Sequence, residues 1–242
     1  MIDLIQPDWP APTNVRAFST TRNGGFSQAP WSSLNLGGNC GDDPQHVRKN
    51  RQLLQTLLPS EPHWLRQVHG IRVLALDCHR EPASEADAST STNAGQVCAI
   101  MSADCLPVLF CNRAGTKIAA AHAGWRGLAD GVLEATVSAM DCKPDELLAW
   151  LGPAIGPQAF EVDRDVFDVF TQTQFENTTA FKPHCDRWLA DLYELARLAL
   201  RRVGIEQVSG GQYCTHTQQD KFFSYRRDGE TGRMATVIWF TE

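Results

Sequence analysis

No two of the chain's seven histidines are separated by a single residue, so the H-x-H pairs that feed a trinuclear copper cluster are missing. None of its eight cysteines forms a C-x-x-C pair. A chain of 242 residues has no need of disulfide staples, so most of these thiols are expected to be reduced and packed as small buried hydrophobes. No apolar run is long enough to span a bilayer, and the opening MIDLIQPDWPAP has neither a basic n-region nor a continuous apolar h-region. The expected location is the cytosol, with no membrane partner. Basic residues are in deficit, 22 Lys and Arg against 28 Asp and Glu, for a formal charge of -6. That excludes a broad nucleic-acid footprint, which needs cations gathered on one face, and favours a small partner. Repeats of fixed period and Gly/Ser- or Pro-rich linkers are also absent, which predicts one domain over residues 1–242.

The remaining composition, 43% hydrophobic and 21% charged, is that of an ordinary globular protein able to bury a sizeable core. Short runs rich in β-branched residues alternate with longer helical patterns, which predicts a mixed α/β fold. Strands are expected at Val73–Leu76, Val97–Met101, Leu106–Phe110, Ile118–Ala121, Leu148–Leu151 and Ala235–Phe240. A helix is predicted over Asp186–Val203, where Leu189, Leu192, Leu195, Ala196, Ala199, Leu200 and Val203 recur at three- and four-residue intervals before Gly204. Two further helices are expected, one over Leu128–Met140 and one capped by Asp163 and carrying Val166, Phe167 and Phe170. Between Thr20 and Pro44 lies a long Gly- and Asn-rich stretch of the kind that carries function. Its Arg22 precedes an Asn-Gly-Gly turn able to present backbone N–H groups to an anion.

Three segments each put a metal-ligating side chain beside a strand end: QVHG with His69, SADCLPVLF with Cys105 and AAAHAGWRG with His122. Zinc accepts imidazole nitrogen and thiolate sulfur, and a catalytic site uses three protein ligands with the fourth position open. Two of them also have a plain reading: His69 as a turn histidine, Cys105 as packing in an apolar run. Context favours the ligand reading for two of them. Pro107 marks the Cys105 segment as a strand start, edge or bulge, and His122 ends an apolar strand before a Gly turn that opens a helix. The same Cys105 and His122 also suit a thiolate nucleophile and its base, and residue types alone leave both uses open.

Read in order, TRNGGFS, SLNLGGNCGDDP, RQVHG, SADCLPVLF, AHAGWRG, LGPAIG, FEV, CTH with FFSYRR, and TGRMATVIW resemble the YfiH-like laccase-domain family. That family is also called multicopper polyphenol oxidases and described as purine nucleoside phosphorylases and as a peptidoglycan editing factor. The resemblance covers nearly the whole chain. It implies a single-domain layered α/β sandwich similar to the catalytic domain of cytotoxic necrotising factor toxins, and a metal site of two histidines and one cysteine on His69, Cys105 and His122. Zinc is the implied cofactor, with copper possible at the same donors. Phosphorolysis of adenosine, inosine, guanosine and methylthioadenosine is implied, together with adenosine deamination and a role in keeping wrongly built peptidoglycan precursors out of the wall. Expected partners are therefore a nucleoside and phosphate, and further a peptidoglycan precursor, in a monomer or weak homodimer.

Without H-x-H pairs the chain lacks the material for a multicopper oxidase centre, so any phenol oxidation would come from copper loaded at the single His2Cys set. The His79-Arg80-Glu81 match to the H-x-E of cytidine-type deaminases lacks its downstream P-C-x-x-C and is accidental. For phosphorolysis we expect His69, Cys105 and His122 to hold the metal and take part in catalysis, with Arg22 and Arg126 as cationic phosphate contacts. Asn35 is expected to bind ribose or base, the alternative being an Asx-turn. Asp104 is expected to accept a hydrogen bond from a ligand imidazole, the alternative being a strand-end turn residue. Trp125 either stacks on a base or covers the core, and Ser224, Tyr225 and Arg226 either line the pocket or form a packed turn with a structural ion pair.

Overall fold

A strand whose every residue is buried must be covered on both faces, and three such strands, two of them apolar but for one residue, set the architecture. The computed structural model describes residues 2–78 and 84–242; the His79-Arg80-Glu81 match lies outside them. In chain order the elements are β1 (Leu4–Ile5), β2 (Val15–Thr20), α1 (Pro44–Gln55), β3 (Val73–Ala75), β4 (Ala88–Ser91), β5 (Cys98–Ser102), β6 (Leu106–Asn112), β7 (Ile118–Ala123), α2 (Trp125–Asp130), α3 (Val132–Met140), β8 (Leu147–Leu151), β9 (Glu161–Val162), α4 (Arg164–Thr173), β10 (Phe181–His184), β11 (Arg187–Ala190), α5 (Leu192–Arg202), β12 (Val208–Gly210), α6 (Tyr225–Asp228) and β13 (Met234–Phe240). They build a four-stranded sheet ordered β1-β2-β13-β5, a six-stranded sheet ordered β12-β8-β6-β7-β4-β3, and a small sheet ordered β10-β11-β9.

Alternation along the strands assigns each face to a layer. Leu106, Val108 and Phe110 of β6 pack with Leu133 of α3 and Leu195 and Ala199 of α5, while Leu109 and Cys111 pack with Ile100 of β5 and Ile238 of β13. β7 repeats the division, Ala119 and Ala121 against Ile118 and Ala120, as does β8, Ala149 and Leu151 against Leu148 and Trp150. The far face of the four-stranded sheet, with Phe18, Ala99, Ala235 and Val237, is covered by Leu54 of α1 and by Leu34 and Leu36. The result is a mixed α/β stack: α1, the four-stranded sheet, the six-stranded sheet, then α3 and α5. Trp150 is 1% exposed between the sheets, so Trp150→Ala is expected to cost roughly 3–5 kcal/mol of stability, read as a lower denaturant midpoint at unchanged slope.

The β6–β7 hairpin carries the site, and its turn is pinned by one side chain. Asn112 Oδ1 accepts the N–H groups of Thr116 and Lys117 at 2.9 and 3.0 Å, and its Nδ2 donates to Thr116 Oγ1 at 3.0 Å. The six expected strands are all present, with β7 extending through His122 to Ala123.

Several expectations are corrected. The predicted helix over Asp186–Val203 begins only at Leu192, because Asp191 caps it by accepting from the N–H groups of Tyr193 and Glu194. The preceding Arg187–Ala190 is strand β11, paired with β10 and β9, and its Trp188 stacks on Phe167 at 4.0 Å. The predicted helix over Leu128–Met140 begins earlier and is split by left-handed Gly131 into α2 and α3. Asp163 stands at the N-cap of α4 but makes no capping bond; its carboxylate pairs with Arg187 at 3.2 Å instead. All eight cysteines are free, yet only Cys98 and Cys111 are buried. Burial pushes both of those thiols up to about 12. Among the described residues no helix is long and apolar enough to cross a membrane.

Candidate metal centre

Antiparallel pairing brings the start of β6 and the end of β7 to the same end of the sheet. The register sets Pro107 opposite His122 and Leu106 opposite Ala123, so Cys105, the residue before β6, arrives beside His122. His69 comes from the loop ahead of β3. The three donor atoms of His69, Cys105 and His122 all lie within 4.8 Å of one another, with Cys105 Sγ 3.7 Å from His69 Nε2 and the two imidazoles edge to face at 4.8 Å. His69 is exposed, Cys105 half-buried and His122 buried, so the set opens to solvent on one side only.

Backbone geometry at the site is unusual. His69 (φ 62°) and Asp104 (φ 91°) are non-glycine residues in the left-handed region, a conformation kept where surrounding contacts enforce it. At His69 the enforcing group is Asp87, fully buried ahead of β4. Its carboxylate accepts the N–H groups of Val68 (3.0 Å), His69 (2.9 Å) and Gly70 (2.8 Å) and bonds His122 Nδ1 at 2.8 Å. Burial pushes the Asp87 carboxyl up, but the His122 imidazole and the amides of Val68 and Gly70 outweigh that and hold it below its ordinary value.

The donors fit a metal ion. Bond lengths near 2.1 Å to nitrogen and 2.3 Å to sulfur put tetrahedral ligand atoms about 3.4–3.6 Å apart, close to the separation of Cys105 Sγ and His69 Nε2. The space between them is kept clear by Gly124: a Cβ there would stand 2.8 Å from His69 Cδ2 and 3.1 Å from Cys105 Sγ. With Nδ1 of His122 engaged by Asp87, its Nε2 is the nitrogen left for coordination. Three protein donors with an open side match a catalytic rather than a closed structural site.

The donors also polarise one another. Burial pushes the Cys105 thiol up, but the imidazoles of His122 and His69 prevail and bring it down to about 6. Burial pushes His122 down, while the Cys105 sulfur and the Asp87 carboxylate raise it to about 9. Without metal the two form a thiolate–imidazolium pair between those limits. The Cys105 contribution to stability is present above its ordinary value of 9.0 and lost as pH falls through about 6; that of His122 is full below 6.5 and lost as pH rises through about 9. In metal-free protein the ultraviolet absorbance of the thiolate is expected to appear near pH 6 and to move upward in His122→Ala. A midpoint at the ordinary thiol value would rule the pair out.

The other expected residues divide. Asp104 does not support an imidazole: its carboxylate accepts from Thr215 Oγ1 (2.6 Å), Ser224 Oγ (3.0 Å) and the Arg226 N–H (2.6 Å), tying the C-terminal segment to the Cys105 turn. Asp87 fills the place expected of Asp104. Asn35 is fully buried; it accepts the N–H groups of Gly37 and Arg233 and donates to Asp42, so the Asx-turn alternative replaces nucleoside contact. Arg126 is exposed on the first turn of α2, two residues beyond Gly124, with its guanidinium 4.2 Å over the Trp125 ring. Trp125 packs on the helix-side core.

Arg22 stacks on Phe223 and donates to the carbonyls of Ser32 and Gln219. With Arg227, Asp220, Asp228 and Glu230 it lines a polar cavity of about 620 Å³ that none of the three donors borders. Ser224 caps α6, Tyr225 is 62% exposed, and Arg226 donates to the Glu161 carbonyl over the Phe160 ring. Ser224 and Arg226 form a packed turn from which Tyr225 projects, and Arg226 has no ion pair among the described residues. The one sign of Asp87 in the sequence is an acidic residue between two alanines ahead of an alternating Ser/Thr run.

The family described as multi-copper polyphenol oxidoreductase laccase matches residues 16–241. Over 241 residues, 99% of each chain, the protein is 56% identical to purine nucleoside phosphorylase YfiH of Escherichia coli (strain K12). A Pseudomonas aeruginosa protein, also named a purine nucleoside phosphorylase, is 52% identical over 240 residues, 98% of each chain. A Neisseria meningitidis protein of known crystal structure superimposes with a TM-score of 0.96 at 52% identity, covering 99% of both chains. A Bacillus licheniformis hypothetical protein YfiH does so with a TM-score of 0.86 at 30% identity, covering 94% of this chain and 93% of its own. Matched from end to end in sequence and in backbone, the chain belongs to the multi-copper polyphenol oxidoreductase laccase family.

Proposed function

We propose that the protein is a zinc-dependent purine nucleoside phosphorylase acting on inosine, adenosine, guanosine and methylthioadenosine, that it also deaminates adenosine, and that it serves in peptidoglycan editing. The observation that carries the core of this reading is the convergence of His69, Cys105 and His122 within 4.8 Å on a half-open surface. The phosphorylase name of the relatives supplies the substrate class.

When bound, the metal supplies a Lewis acid that polarises an anionic oxygen or lowers the pKa of water. The chain's own part is positioning and charge. His122, locked through Nδ1, and His69, on its left-handed turn, present their ring nitrogens without reorganising. Arg126 has no hydrogen bond or ion pair among the described residues and follows Gly124 by two residues on the first turn of α2, which suits it to hold phosphate. Arg22 commits Nε and Nη1 to backbone carbonyls and faces Asp220, Asp228 and Glu230 across its own cavity, which leaves Arg126 as the phosphate contact of this reading. Arg227, saturated by the carbonyls of Thr215, His216 and Phe222 and by Asp228, fixes that cavity's wall.

Zinc-loaded protein incubated with inosine and phosphate is expected to release hypoxanthine and ribose 1-phosphate, with turnover lost to a chelator and restored by zinc. Stoichiometrically loaded protein that releases no hypoxanthine would refute the reading. A second reading is favoured by the depressed Cys105 thiol beside His122: a thiol hydrolase acting on peptidoglycan precursors. Chelator-insensitive precursor cleavage would single it out.

A further inference from the structure

We infer that Asp87 is the positioning residue of the metal centre, one carboxylate that fixes the coordinating nitrogen of His122 and the turn carrying His69 together. The inference rests on His69, Cys105 and His122 being metal ligands. The two histidines come from separate parts of the chain, yet both are tied to the same buried side chain. Oδ1 meets the His69 N–H and His122 Nδ1; Oδ2 meets the N–H groups of Val68 and Gly70. The backbone of Asp87 adds a third tie, its carbonyl accepting the His122 N–H at 2.7 Å.

Every partner on the carboxylate is a donor when His122 carries its proton on Nδ1. An ionised carboxylate accepts on both oxygens and satisfies all four. It thereby enforces the tautomer that leaves the Nε2 lone pair for a metal. Asparagine is nearly isosteric but cannot do both jobs. With its oxygen toward His122 and the His69 N–H, its amide NH2 faces the N–H groups of Val68 and Gly70, donor against donor. Flipped, its NH2 faces the His69 N–H and donates to Nδ1, which drives the imidazole proton to Nε2 and blocks coordination. One orientation opens the His69 turn and the other withdraws His122.

The test uses full-length Asp87→Asn and wild-type protein, with zinc alone as the probe in competition with a chromophoric chelator. Zinc affinity is expected to fall about 10–100-fold in the variant, with its circular dichroism and thermal transition showing a folded protein. Nitrogen NMR of zinc-loaded wild type is expected to find the His122 proton on Nδ1. A folded variant that keeps zinc affinity within about threefold, or a wild-type proton on Nε2, overturns the inference; the second measurement decides it even where the variant fails to fold. Wild type that takes up no zinc overturns this inference and the metal-dependent reading together. Zinc binding that weakens in the variant, with no phosphorolysis by either protein, upholds the role of Asp87 and removes only the proposed reaction.

Discussion

Cys105→Ala is expected to yield a folded protein that carries no stoichiometric zinc and phosphorolyses inosine at less than about one-hundredth of the wild-type rate, a loss at least as large as that from removing a ligand's outer support. The fold should survive because Cys105 precedes β6 rather than lying within it, and because the half-buried sulfur fills little core volume. Activity should not survive, because two imidazoles alone leave the donor count one short of a catalytic zinc site. Loss of activity by itself does not separate a ligand from a nucleophile, so a second substitution is needed. Cys105→Asp returns an oxygen that zinc accepts but that cannot attack as a thiolate does. Metal content and turnover clearly above those of Cys105→Ala are expected; a Cys105→Asp protein with full zinc and no turnover would make the sulfur a nucleophile.

Gly124→Ala is expected to be nearly as damaging to metal binding, although it adds a single methyl group outside the ligand set. Gly124 has φ -61° and ψ 155°, a conformation that alanine adopts freely, so the change imposes no backbone strain. The new Cβ would press on the His69 ring at 2.8 Å and on Cys105 Sγ at 3.1 Å. Because His69 is exposed, its ring can swing toward solvent and relieve the contact at little cost to the fold, which removes one donor. Zinc affinity is expected to drop by about tenfold or more with an unchanged thermal transition in the metal-free state. Unaltered affinity would mean that the cradle is wider than the Gly124 contacts imply.

Much of the fold could be read from the sequence because β6, β7 and β8 are covered on both faces and so appear as near-continuous apolar runs. His69, Cys105 and His122 were legible for a related reason: each interrupts an apolar or turn context with a side chain suited to metal. What could not be read was contact across the chain. Asp87 acts chiefly through backbone amides of Val68, His69 and Gly70, which have no residue signature. Asp104 looked suited to supporting an imidazole because it adjoins a ligand, yet its carboxylate turns to Thr215 and Ser224. The apparent helix through Arg187–Ala190 failed because Leu189 fits helical and strand spacing alike, and pairing with β10 decided between them. Asn35, polar in a Gly-rich loop, gave no hint that it would be fully enclosed.

The tight turn at the far end of the β6–β7 hairpin acts as a ruler for the chemistry. Side chains on a strand alternate faces, so slipping one strand past the other by a single residue would send His122 toward the opposite layer and carry Cys105 out of reach. The length set by Asn112 and its bonds to Thr116 and Lys117 is thus read out at the other end of the hairpin as the distance between sulfur and imidazole. A loop with no ligand of its own therefore tolerates changes of residue more readily than changes of length, and an insertion there would be felt first as lost metal rather than as lost fold.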